Sequence, residues 1–164
     1  RFHREGGMAA TLSRGGSSGV RAAETMLLQR ASETAWPALY VAATRADEPD
    51  RLAALLKLHK GKASPVKGDT LLTVAARFGN VSGLGIILTH GYDINEAATN
   101  FEGRSETPLY TAALWGQPAC IKLLLQKGAS AGKAEALQAA KEAHHCDLGG
   151  GSAEDYAECV RLLS

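Results

Sequence analysis

The hydrophobic positions of this chain fall in short runs at helical spacing, and two of those runs recur at a fixed distance. Leu72, Ala75 and Ala76 form one apolar stripe, and Leu109, Ala112 and Ala113 form its counterpart. Downstream, Ile86, Ile87 and Leu88 line up with Leu123, Leu124 and Leu125. Thr70 and Thr107, Gly79 and Gly116, and Gly91 and Gly128 keep the same offset of 37 residues. A constant period of roughly 20–50 residues marks a solenoid of stacked supersecondary units. Such a stack binds through an extended surface rather than through a catalytic pocket.

Each unit reads as two short helices. Thr70 and Thr107 stand at N-cap positions ahead of an apolar run, and Pro108 sits at the first helical position, where its missing N–H costs nothing. Gly79 and Gly116 end the first helices. The second helices are predicted from Asn80 to Thr89 and from Pro118 to Lys127. Ile86–Leu88 and Leu123–Leu125 are expected to face the core, with Gly91 and Gly128 as stops. A unit before these aligns through Ala42 and Ala43, with a second helix over Asp50–His59 carrying Leu52, Leu55 and Leu56 and ending at Gly61. A unit after them is expected over Glu135–His144 and Ala153–Leu163, joined by an expanded loop at Asp147–Ser152. The expected units are thus 34–66, 67–104, 105–133 and 134–164. A capping helix over 20–33 precedes them, with Val20, Ala23, Leu27, Leu28 and Ala31 on one face.

The run Thr107-Pro108-Leu109-Tyr110-Thr111-Ala112-Ala113, followed by Trp115-Gly116, Leu123-Leu124-Leu125 and Lys127-Gly128-Ala129, resembles the ankyrin repeat. Gly91-Tyr92-Asp93-Ile94-Asn95 supplies the family's Gly-Ala-Asp-x-Asn ending in the earlier unit. The resemblance implies an all-α solenoid of about four helix-turn-helix units with short hairpin loops. It also implies a protein-binding surface built from hairpin tips and first helices. Three departures stand out. The family period is about 33 residues, and the four extra residues here fall in Glu96–Glu106, the loop joining the two clear repeats. Tyr110 and Thr73 replace the usual His, and Leu71 replaces the usual Pro.

Composition narrows the function classes. The 164 residues are 45% hydrophobic and 21% charged, so the chain can build a core. A formal net charge of +1 argues against bulk electrostatic binding to nucleic acid or membrane. No apolar run approaches the about 18 residues of a membrane-spanning helix. Cys120, Cys146 and Cys159 are odd in number and fit a reducing intracellular compartment without a disulfide framework. Residues 1–19 form a Gly/Ser/Arg-rich arm with Arg1, Arg4 and Arg14 against Glu5. The arm has no core of its own and is expected to be held by a partner in a larger assembly. Its Arg- and Ser-rich, acid-poor character resembles an organelle targeting segment, which leaves cytoplasm, mitochondrion and plastid all open.

Motifs that could carry chemistry fall short of their requirements. His144-His145-Cys146-Asp147 with Cys159 downstream lacks paired Cys-x-x-Cys spacing, and adjacent histidines on a helix diverge, so no metal site is expected. Gly61–Gly68 contains phosphate-loop ingredients, but Pro65 interrupts it and no strand precedes it. Gly149–Gly151 reads only as a loop, and the glycosylation sequon at Asn80-Val81-Ser82 starts a helix inside a repeat. No nucleophile or carboxylate pair sits in a catalytic context, and no cofactor is implied. Arg51, Lys57, Lys60, Lys62 and Lys67 form a basic stretch without an acid, a weak nucleic-acid candidate because no aromatics are interleaved.

The expected function is therefore non-enzymatic protein–protein binding, as a scaffolding or accessory subunit of a larger complex. A free regulator that binds one partner reversibly and an RNA-contacting subunit are the alternatives. Two sets of partner-binding residues are expected. Val74, Phe78, Thr111 and Trp115 lie on one side of successive first helices and would form an exposed ridge. Asn100, Phe101 and Arg104 lie in the lengthened loop and would form a binding finger.

Overall fold

Threonine caps and glycine stops set where the helices begin and end. In the computed structural model of the chain, residues 38–58, 69–100, 102–146 and 150–164 are described, with the side chains of 144–146 left aside. The capping helix, the 1–19 arm, Phe101, and Lys60, Lys62 and Lys67 lie outside these residues. Residues 38–44 are helical (α1). They are followed by α2 (Pro49–Leu58), α3 (Leu71–Arg77), α4 (Val81–Thr89), β1 (Ala98–Thr99), β2 (Ser105–Glu106), α5 (Pro108–Leu114), α6 (Pro118–Gln126), α7 (Lys133–Cys146) and α8 (Ala153–Leu163). Thr70 accepts from the Thr73 amide, and the Thr73 hydroxyl accepts from the Thr70 amide in return, a reciprocal cap that opens α3. Thr107 caps α5 through the Tyr110 amide, with Pro108 at the first helical position. Phe78 and Trp115 are the C-caps, and the glycines after them turn left-handed, with φ of 68° at Gly79 and 63° at Gly116.

The helices stack in two rows. First helices α3, α5 and α7 pack side by side, and second helices α2, α4, α6 and α8 form the row behind. Within each unit α3 meets α4, α5 meets α6 and α7 meets α8. Alanine at the inner positions makes the first row tight: Ala75, Ala76, Ala112, Ala113, Ala136 and Ala140 are fully buried. The second helices correct one expectation. Of the two expected apolar triplets only Ile87 and Leu124 are fully buried, while Ile86, Leu88, Leu123 and Leu125 are half-buried. Three consecutive residues cannot share a helix face. The true stripes are Leu84 with Ile87, and Cys120 and Ile121 with Leu124.

Polar side chains tie each unit to its predecessor. Asn80 caps α4 by accepting from the Gly83 amide, and its own amide donates to the carbonyls of Ala43 (2.9 Å) and Arg45 (3.0 Å) at the end of α1. Gln117, one repeat later, donates to the Arg77 carbonyl at 3.5 Å. In the last unit the Tyr156 hydroxyl donates to the Leu114 carbonyl at 3.1 Å. Beside it Gly116 and Gly151 touch backbone to backbone; a Cβ on Gly116 would lie 2.9 Å from the Gly151 Cα.

The lengthened loop is a short antiparallel ribbon, with Ala98 opposite Glu106 and Thr99 opposite Ser105. Asn100 closes its turn. Its side-chain Oδ1 accepts from the amides of Glu102 (3.0 Å) and Arg104 (2.9 Å), and its Nδ2 donates to Glu106 (2.8 Å). Asn95 joins this loop to the next, accepting from the amides of Ser130 and Ala131, both at 3.2 Å.

Candidate binding face

The expected ridge does not form as a unit. Val74 is 4% exposed and Thr111 is fully buried, so both belong to the core. The reason is crowding. Helix α3 is flanked by α4 and α5, helix α5 by α3, α6 and α7, and a seven-residue helix so surrounded has little free circumference. Every residue of α3 except Arg77 is buried. The Thr111 hydroxyl is satisfied internally by the Thr107 carbonyl at 3.1 Å. Phe78 is exposed at 58%, as the ridge required, but Trp115 is half-buried. The Arg77 guanidinium lies 5.8 Å from the centre of the Trp115 ring and pairs with Asp69 at 2.6 Å. Trp115 therefore helps to join two repeats.

The other expected residues separate likewise. Asn100 holds the hairpin turn together, and Arg104 is exposed beside it, 3.4 Å from Glu102. Within the basic stretch, Arg51 bonds Glu48 at 2.7 Å, and Glu48 also holds Arg45. These two arginines keep the Glu48 carboxyl below the usual carboxylate range, Arg51 contributing more. Lys57 is exposed. Asn80 is 1% exposed and fully engaged, so the sequon is closed to modification. Among the described residues no group of His, Cys, Asp and Glu could hold a metal ion, and no helix is long and apolar enough to cross a membrane.

A groove of about 580 Å³ opens where β2 and the starts of α5 and α7 meet. Its construction follows from the spacing on α7. Ala136, Ala140 and Ala143 form the buried stripe; beside it Glu135, Gln138 and Glu142 fall at i, i+3 and i+7 and line the groove, with the buried Ala139 at its floor. Glu106 enters from β2 and Tyr110 from α5. Tyr110 occupies the repeat position where the sequence departs from the usual His. Its counterpart Thr73 is buried in the α3 cap, while Tyr110 is half-buried and turned to the groove. Glu106, Glu135 and Glu142 have no ion-pair partner among the described residues. The phenol of Tyr110 senses Glu106 and Glu142. Burial raises its pKa, Glu106 raises it further, Arg104 opposes, and Glu142 and Glu102 add to the rise. These acids were missed in the sequence. The one signal present was the polar stripe of α7 opposite an all-alanine face.

The family profile described as ankyrin repeats (3 copies) matches residues 39–135, more than half of the chain. Helices α7 and α8 carry both rows past the matched region. Among solved structures, the chain is similar to the ankyrin repeat domain of human ASB11, with a TM-score of 0.54 and 22% identity over 76% of this chain. It spans about half (52%) of that domain, and at such identity the likeness concerns the fold alone. No curated protein sequence matches the chain.

Proposed function

Because the chain belongs to the ankyrin-repeat family, whose repeats are protein–protein interaction modules, we propose that it is a non-enzymatic accessory or scaffolding subunit. In this reading it holds a protein partner against the hairpin side of its first-helix row. The observation that carries the reading is the open groove between β2, α5 and α7, set beside a helix α3 that is buried except at Arg77. Buried free thiols at Cys120 and Cys159 support a reducing compartment. The test is native capture of the tagged chain, followed by size analysis and cross-linking. A stoichiometric particle with cross-links on the hairpin and α7 supports the proposal. A chain that stays monomeric, or cross-links confined to α4 and α6, overturns it.

A further inference from the structure

The groove volume of about 580 Å³ lies within the range of about 300–1,000 Å³ typical of ligand sites. It can admit a side chain with its flanking backbone. Its apolar surface comes from Ala134, Ala139 and the Tyr110 ring, and three carboxylates stand around it: Glu106 on β2, and Glu135 and Glu142 two turns apart on α7. Two of these are already fixed by neutral donors. Glu106 accepts from Asn100 Nδ2 at 2.8 Å, and Glu142 accepts from Gln138 Nε2 at 2.8 Å. The one cation at the margin, Arg104, pairs with Glu102, and both are exposed. The groove is therefore net negative, preorganised on two sides, and aromatic on a third.

A metal ion does not suit this arrangement, because the carboxylates do not converge as a metal-ligand set. A phosphate backbone would meet like charge. A guanidinium fits, because it is planar, spreads its charge over several donors, and lies favourably against an aromatic ring. We infer that the groove between β2, α5 and α7 is a docking site for an arginine side chain on an extended segment of the partner protein. This rests on the proposed binding role and specifies its partner chemistry.

The test uses the full chain and a blocked Gly-Ser peptide with one central arginine, followed by amide chemical-shift mapping. Matched peptides carry citrulline, which keeps the shape and removes the charge, or glutamate. The arginine peptide is expected to shift the amides of Tyr110, Glu135, Gln138 and Glu142, and the other two peptides are not. The triple variant Glu106→Gln, Glu135→Gln and Glu142→Gln keeps the hydrogen-bond acceptors. Three lost exposed ion pairs should weaken arginine-peptide binding by about tenfold. Equal shifts with citrulline, shifts confined to other acidic surfaces, no shifts at all, or binding unchanged in the triple variant would each overturn the inference. The captured native partner separates the two readings. If the triple variant retains that partner as well as the wild type does, the module role stands and the arginine site fails. If the wild type captures no partner while the arginine peptide still maps to the groove, the module role fails alone.

Discussion

Asn80 shows how much one side chain can carry in a thin stack. It caps its own helix and closes two carbonyls of the preceding unit. Asn80→Ala removes all three bonds and leaves buried groups unpaired, so a loss of about 1–3 kcal/mol is expected, read as a lower urea midpoint. Asn80→Asp keeps the cap acceptor but loses both donors, and should also be destabilised. A wild-type midpoint in Asn80→Asp would mean that the inter-unit bonds contribute nothing. Ala112 poses the opposite problem. It is fully buried on α5, a helix in contact with both α3 and α7, so Ala112→Leu should cost about 1–3 kcal/mol by overpacking. An unchanged melting temperature would contradict the close row of first helices. Phe78, by contrast, is exposed. Phe78→Ala should stay within about 0.5 kcal/mol of wild type, whereas Trp115→Ala removes the ring beneath Arg77 and should melt earlier.

At the scale of the element, the sequence was most legible where local chemistry acts alone. Thr70, Thr107 and the glycine stops placed the helix ends to within a residue or two, because caps and left-handed turns depend on a few neighbouring atoms. The Ala pairs were legible because their spacing matches the helical period. Legibility ended where three elements meet. Val74 and Thr111 looked like outward residues by angle, but both are buried in a row where α3 packs on α5 and α5 on α7. The groove was invisible for the same reason. Glu106 and Tyr110 are near neighbours in the chain, but Glu135 and Glu142 lie far from them and join them only when α7 packs on α5. The ribbon also carries its own prediction. Asn100→Ala should increase hydrogen exchange at the amides of Glu102 and Arg104 while the global melting temperature stays nearly constant, because the turn bonds are peripheral to the core. A large fall in melting temperature would mean that the ribbon supports the stack.

At the scale of the whole molecule, the buried ionisable groups among the described residues act in one direction. Burial pushes the thiols of Cys120 and Cys159 from 9.0 up to about 12, and it raises the phenols of Tyr92 and Tyr110 as well. Each folded-state pKa lies above the unfolded value. The thiol contribution is therefore fully present below about pH 9 and is lost as pH rises from there toward 12. Urea midpoints should fall steadily across that window, and Cys120→Ala should flatten the fall; a flat wild-type profile would reject the burial of these thiols. The bonds made by Asn80, Gln117 and Tyr156 share a direction too, since each reaches back to a carbonyl in the preceding unit. The stack is thus completed vectorially. As a nascent chain leaves the ribosome, the Leu114 carbonyl must wait for Tyr156, 42 residues later, before it gains its tertiary partner. Synthesis runs in the same sense, so in these three cases the carbonyl is made before the side chain that closes it.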